Sequence, residues 1–310
     1  MIIIRMTGGL GNQMFQYALY LKLCSMGREV KFDDITEYEL DNARPVMLWV
    51  FGISYPRASR EEINEITDGF LKLSHRIRRK LFGRKSLEYQ EKNCNYDWQV
   101  LQKEPAYLTG YFQSEKYFKD VEDEVRKAFT FSPRIWDGLM PDLRQKSEQY
   151  MEQIRDSMAV AVHVRRGDYL STSDVFGGIC TEAYYRKAVS WVLDYYPEAE
   201  FFVFSNDRQW VREWIPRLCT TLNIDEKRFV VIEGTTEETG YLDMMLMSKC
   251  RHYILANSSF SWWGAWMNPS ENKHIAAPSI WFNNQDCRDI YTREMIRISP
   301  KGEIIEDEAG

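Results

Sequence analysis

Ala159-Val160-Ala161-Val162-His163-Val164-Arg165-Arg166-Gly167-Asp168-Tyr169 passes in one step from an apolar run to charged and small residues. An apolar run of this length without regular polar alternation reads as a strand covered on both faces, the signature of a parallel sheet. Ligands of open α/β sheets bind beyond the carboxyl ends of such strands. Paired arginines there suit a pyrophosphate, because the guanidinium fork meets phosphate oxygens in pairs. Gly167 permits a sharp turn, and Asp168 brings a carboxylate close to the cations in sequence. Taken alone, the same run also fits a solvated Arg–Asp cluster.

Outward from this strand, apolar runs alternate with helical periodicity. Downstream, Phe201–Ser205, Phe229–Ile232, Tyr253–Ala256 and His274–Ala277 read as strands, the last of these being the final clear one. Between them Glu182–Tyr195, Arg208–Leu218, Glu237–Lys249 and Phe260–Met267 read as helices. Upstream, Ile2–Met6 is a strand, Asn12–Met26 a helix and Glu29–Phe32 a second strand. Residues 33–100 carry a charged helix over about 61–81 and little strand signal. Ala106–Phe112 then reads as a strand and Glu115–Phe129 as a helix. The pattern predicts an α/β protein with two domains, 1–155 and 156–310. The proline-bearing stretch Ser132–Pro141 and a polar helix Asp142–Asp156 lead into the second, and an acidic tail Glu303–Glu308 frays.

The 310 residues suffice for two ordinary domains, and the net charge of −6 argues against nucleic acid as a partner. Ten Trp and eighteen Tyr suit sugar stacking, but most such residues fill cores. The six cysteines are at least about thirty residues apart, so no zinc spacing exists, and they read as free thiols of a reducing compartment. No stretch reaches the roughly 18 apolar residues of a membrane span, and Arg5 interrupts the N-terminal apolar run. A cytoplasmic location is expected; the oligomeric state is not legible.

Two further segments sit where strands give way to helices. Gly8-Gly9-Leu10-Gly11-Asn12-Gln13 is a glycine-rich turn that lets a ligand approach the backbone, or a tight turn with Asn12 as N-cap. It lacks the third glycine of a dinucleotide fingerprint, Met14 standing in that place. Asn257-Ser258-Ser259-Phe260-Ser261-Trp262-Trp263-Gly264 offers hydroxyls and free N–H groups at a helix start, an anion site, or equally a serine N-cap before core tryptophans. Trp262 and Trp263 cannot share one helical face, so one is expected outside the main core.

Together GGLGNQMFQYA, HVRRGDY, FSND and NSSFSWWGAW resemble the bacterial α-1,2-fucosyltransferases of glycosyltransferase family 11. The resemblance runs from residue 1 to about 283 and weakens over roughly 33–105. It implies a GT-B-like fold, two Rossmann-like domains facing a central cleft, with the acceptor on the first and GDP-fucose on the second. It also implies inverting transfer of fucose to a galactose acceptor, with no metal and no cofactor beyond the GDP-fucose co-substrate. Arg165 then binds the donor pyrophosphate, His163 supports it and Arg166 is a second contact. Ser258, Ser259 and Phe260 resemble the segment around the β-phosphate, and Asp243 the guanine-reading aspartate. Asn206 and Asp207 become donor contacts, as do Asn12, which bridges donor and acceptor, and Gln13 beside it.

Such a reaction leaves extra negative charge on GDP, which many transferases meet with a metal held by Asp-x-Asp; this sequence has no Asp-x-Asp, and arginine is the substitute. Asp168 is the first candidate for the base that takes the acceptor proton, and orienting the acceptor or holding Arg165 are its other roles. The six cations of Arg76–Lys85 read as a solvated helix end or as a contact with anionic lipid. A different linkage or acceptor, or a sugar- or nucleotide-binding protein without catalysis, is the alternative these motifs leave.

Overall fold

β1 (Ile2–Arg5), β2 (Val30–Asp33), β3 (Glu88–Gln90) and β4 (Ala106–Thr109) form an all-parallel sheet ordered β2-β1-β4-β3 in the computed structural model. The structure describes residues 1–39, 44–71, 73–167 and 173–306. β1 is central, which explains why Ile2, Ile3 and Ile4 are consecutive apolar residues without solvent contact. The helix Leu10–Ser25 follows through Gly8, whose φ is +76°, with Gly9 at its N-cap. Asn12 therefore lies inside the helix and does not cap it.

The charged segment expected as one helix is two, Arg60–Thr67 and Leu73–Phe82. Ser59 and Glu62 form a reciprocal capping box at the start of the first. Asp68, left-handed at φ +54°, ends it. Glu115–Phe129 likewise resolves into 3-10 turns and a short helix, Glu122–Ala128. β3 went unseen in the sequence because Glu-Tyr-Gln carries no apolar alternation; it is an edge strand, where charge is tolerated.

A second sheet comprises β5 (Ala159–Val164), β6 (Glu200–Ser205), β7 (Phe229–Val231), β8 (His252–Ile254), β9 (Ile275–Pro278), β10 (Met295–Ile298) and β11 (Ile304–Ile305). Its order is β11-β10-β9-β8-β5-β6-β7. All neighbours are parallel except β10 and β11. Counted from β5, the six parallel strands follow the Rossmann order, with the reversal of direction between β5 and β8. Val160, Val162 and Val164 of β5 share a core with Tyr184, Tyr185, Trp214 and Leu218 of the helices Glu182–Tyr195 and Arg208–Leu222.

The chain divides into two compact units at Met1–Ser132 and Pro133–Gly310, earlier than the boundary read near 155. The helix Pro141–Asp156 is polar along most of its length, but it buries Ser147 and Ile154 and packs on the helix Tyr241–Met247, inside the second unit. In the described part of the tail Ile304 pairs with Ile298, adding the antiparallel strand β11, where fraying was expected; Asp307 and Glu308 lie outside the described residues. Cys24, Cys180, Cys219 and Cys250 are free thiols. Cys94 and Cys287 do not titrate as thiols, being disulfide-bonded, which corrects the reading of six free thiols. Among the described residues no helix is long and apolar enough to cross a membrane.

Candidate functional site

β5 and β8 lie side by side, Val160 opposite His252 and Val162 opposite Ile254, so the motifs at their carboxyl ends meet where the strand order reverses. His163 is buried, and its Nδ1 lies 2.8 Å from Ser261 Oγ. Its ring is 5.8 Å from that of Phe260. The Tyr185 hydroxyl donates to the His163 carbonyl at 2.9 Å and fixes the end of β5 from behind. On β8's side the buried amide of Asn257 donates to the Trp281 carbonyl at 3.1 Å. The Cys180 thiol, pushed up to about 12 by burial and so protonated, donates to Asn257 Oδ1 at 3.5 Å. Ser258 caps the helix Ser259–Trp266 by accepting from Phe260 N–H at 3.3 Å. Ser258, Ser259 and Phe260 are half-buried, leaving part of this helix start exposed.

Trp262 and Trp263 are both fully buried, which corrects the expectation that one lies outside the core. This helix is covered all round rather than on one stripe. Trp262 Nε1 donates to the Ile290 carbonyl at 2.7 Å. Gly264 sits so close to the helix Tyr241–Met247 that a Cβ would come within 2.9 Å of Met247 Cβ.

Arg165 is half-buried immediately beyond β5. Arg166 is tied to the end of β6. Its N–H donates to Asn206 Oδ1 at 3.0 Å, its Nε lies 3.4 Å from Asp207 Oδ2, and its guanidinium stands 4.3 Å over the Trp210 ring. Asp207 also caps the helix Arg208–Leu222 through Trp210 N–H at 3.1 Å. A Cβ on Gly167 would approach Asn206 Nδ2 to 2.8 Å, so the side chain that accepts from Arg166 N–H would have to shift. Asp168 lies outside the described residues.

Asp243 stands on the helix that precedes β8. Its Oδ2 accepts from Thr235 Oγ1 at 3.1 Å, and Thr235 Oγ1 in turn accepts from Arg208 Nη2 at 2.7 Å. Its Oδ1 is shielded from solvent and meets no donor. Burial pushes this carboxyl up to about 7, against the opposing Thr235 hydrogen bond and Arg208 charge. A ligand offering two parallel N–H groups would satisfy that oxygen. Arg208, Thr235 and Ser261 were not singled out from the sequence. Arg208 follows the strand-ending Ser205-Asn206-Asp207 directly, a signal that was available.

Asn12 and Gln13 belong to the first unit. Gln13 is fully buried, and its amide bonds to Gly8 O (2.8 Å), Pro45 O (2.9 Å) and Met47 N (2.8 Å). It staples the glycine-rich turn to the segment Pro45–Met47. Half-buried Asn12 accepts from Gln113 Nε2 at 2.8 Å, joining the ends of β1 and β4.

The model of glycosyl transferase family 11 matches residues 86–299. The chain is 28% identical to an Escherichia coli alpha-1,2-colitosyltransferase, over 92% of this chain and 93% of that one. It is 30% identical to the E. coli O-antigen biosynthesis glycosyltransferase WbnK, over 89% and 93%. It is 27% identical to the Bos taurus galactoside alpha-(1,2)-fucosyltransferase 1, over 87% and 67%.

Proposed function

From the chain's membership of glycosyl transferase family 11, which makes it a glycosyltransferase, we propose that it moves L-fucose from GDP-β-L-fucose to the 2-hydroxyl of a terminal galactose, with inversion and without a metal. The observation that carries this reading is the 2.8 Å contact of His163 with Ser261, which ties the arginine motif of β5 to the serine motif of β8 at the strand-order reversal. An anionic diphosphate placed there meets Arg165, the hydroxyls of Ser258 and Ser259, and the positive end of the helix Ser259–Trp266.

In this reaction the acceptor oxygen attacks the anomeric carbon opposite the leaving group. The bond from that carbon to the β-phosphate oxygen breaks, and its electron pair leaves with GDP. Arg165 neutralises the charge that grows on the diphosphate. Arg166, stacked on Trp210, adds a fixed positive field beside it. Asp168 takes the acceptor proton. Asp243 accepts guanine N1–H and N2–H, which the orphaned Oδ1 supports. We place the enzyme in the cytoplasm, with the helix Leu73–Phe82 resting on anionic lipid: Leu73, Ile77 and Leu81 form an exposed apolar ridge at i, i+4 and i+8, flanked by Arg76 and Lys80.

GDP release measured with GDP-fucose, with and without galactosides, tests the reaction, and NMR of the product reads the linkage. Galactoside-dependent release and an α-1,2 product are expected; GDP binding without acceptor-dependent release would leave a sugar-nucleotide binding protein. A second reading, α-1,2-colitosyl transfer, is favoured by the similarity to the colitosyltransferase. Offering the two GDP-sugars in competition separates it from fucosyl transfer.

A further inference from the structure

In the first sheet the strand order also reverses, between β1 and β4, and the carboxyl ends of β1, β3 and β4 carry an arrangement that no motif announced. Glu91 follows β3. Its Oε2 accepts from Tyr111 N–H at 2.7 Å and its Oε1 from Phe112 N–H at 3.1 Å. The carboxylate lies flat against Gly110, where a Cβ would come within 2.5 Å of Glu91 Cβ. Phe112 is held left-handed at φ +54° and fully buried, an uncommon conformation for a bulky side chain. Between these fixed neighbours Tyr111 is left exposed. Its ring edge is 3.2 Å from where a Gly8 Cβ would stand, so the glycine turn at the end of β1 is what gives the ring its place.

Side-chain amides lock the same two loops. Gln16 accepts from Thr7 N–H at 3.1 Å and donates to the Gly110 carbonyl at 2.9 Å, and Gln113 donates to Asn12. An exposed aromatic ring on a rigid base at the carboxyl edge of a parallel sheet is what a sugar subsite needs for stacking. The ring face covers the C–H face of a pyranose, while Gln16 and Gln113 are buried and engaged with the loops they lock. Glu91 is a half-buried carboxyl raised to about 7 by burial, against the pull of the two N–H groups, and nothing in the donor reading uses it.

We propose that the carboxyl edge of β1 and β4 is the subsite for the acceptor pyranose, with Tyr111 as its stacking platform and Glu91 as the positioning residue that presents Tyr111. This rests on the transferase reading and adds the residues that hold the acceptor. Removing the platform weakens acceptor capture and leaves donor capture alone.

The test is full steady-state kinetics of the parent, Tyr111→Phe, Tyr111→Ala and Glu91→Gln, varying the galactoside and GDP-fucose separately, with melting temperatures alongside. Tyr111→Ala is expected to raise the acceptor KM at least about tenfold with donor KM within twofold, and Tyr111→Phe to stay near the parent. Glu91→Gln, which replaces one acceptor oxygen by a donor facing an N–H, is expected to raise acceptor KM and to remove a pH dependence of acceptor KM centred near pH 7. An acceptor KM within twofold of the parent in Tyr111→Ala, or equal rises in both KM values, overturns the subsite. Melting temperatures report whether the Tyr111 variants fold, and calorimetric titration of GDP checks the donor side in each. A parent that transfers to no galactoside but binds GDP refutes the proposed transfer to galactose instead, so the two failures are distinct.

Discussion

The Arg166 guanidinium lies 4.3 Å above the ring of Trp210, and this single contact divides the work of the arginine pair. With its N–H on Asn206 and its Nε beside Asp207, Arg166 is built into the junction of β5 and β6. Arg165, one residue nearer the strand, is the residue assigned to the pyrophosphate. Arg165→Ala is expected to lower turnover by about 10²–10³ with little change in melting temperature. Arg165→Lys keeps the charge, loses the fork and stays badly impaired. Arg166→Ala is expected to cost stability as well as rate. Near-parental turnover in a normally melting Arg165→Ala protein refutes the clamp.

Asp243 makes a second prediction, with a sign in pH. On the proposed reading guanine binds the carboxylate form, and burial raises that carboxyl to about 7, so GDP affinity should fall as pH drops from 8 to 6. The same raised value means the unfolded chain gives up this proton at lower pH than the fold does. Asp243 therefore costs stability as pH rises through 4 towards 7. Asp243→Asn keeps an acceptor for Thr235 and should melt higher at pH 8, by on the order of a few degrees, while binding GDP weakly at every pH. Calorimetry showing parental GDP affinity in Asp243→Asn or Asp243→Ala would return the residue to a purely structural role.

Metal independence is the third prediction. On the proposed mechanism arginine meets the leaving diphosphate, so activity should persist in excess EDTA. Loss with EDTA that manganese or magnesium restores overturns the arginine mechanism.

The helix Leu73–Phe82 gives the fourth. Arg78 and Arg79 are already engaged with Asp68 and with the carbonyls of Asp68 and Phe70. Changing them would loosen the helix itself. The cleaner variant is Arg76→Gln with Lys80→Gln, and Leu81→Ser in a second protein. Both are expected to sediment less with anionic vesicles, added salt mimicking only the first. Equal vesicle binding by parent and both variants leaves a solvated surface.

A fifth concerns acid. Burial, with His274 and then Arg251 nearby, lowers His252 to about 4, and its Nδ1 accepts from the His274 N–H at 3.0 Å. The unfolded chain takes up this proton near 6.5, so stability is full above that value and falls as pH drops towards 4. His252→Asn retains an acceptor and should flatten melting temperature against pH over that window; an unchanged slope removes His252 from the account.

The second unit was legible because buried parallel strands are apolar runs with abrupt polar ends. Glu182–Tyr195 and Ala159–Val164 fall where periodicity put them. Met295–Ile298 was missed because four residues containing an arginine carry no periodic signal, and only its register with β9 makes it a strand. Asp68 broke the charged helix through its own left-handed conformation, which charge periodicity does not encode. Glu91 drew no reading from the sequence, and Asp243 was singled out only through the family resemblance, since what distinguishes both is the burial imposed by distant neighbours. Gln13 read as part of a ligand loop for the opposite reason: a buried amide and an exposed one are the same letter.

The pairing of Val160 with His252 also has a history in time. β5 leaves the ribosome with β6 and β7 following, and those three can pair in the order they are made. The serine motif arrives only with β8, after a long loop has been closed, which is the slow kind of contact to form. A chain halted before Ile254 already carries His163, Arg165 and Arg166 but has no Ser261 to meet them. The proposed diphosphate site is thus among the last parts of the second unit to be born, and on that reading nucleotide binding is a fair witness that synthesis and folding have both run to completion.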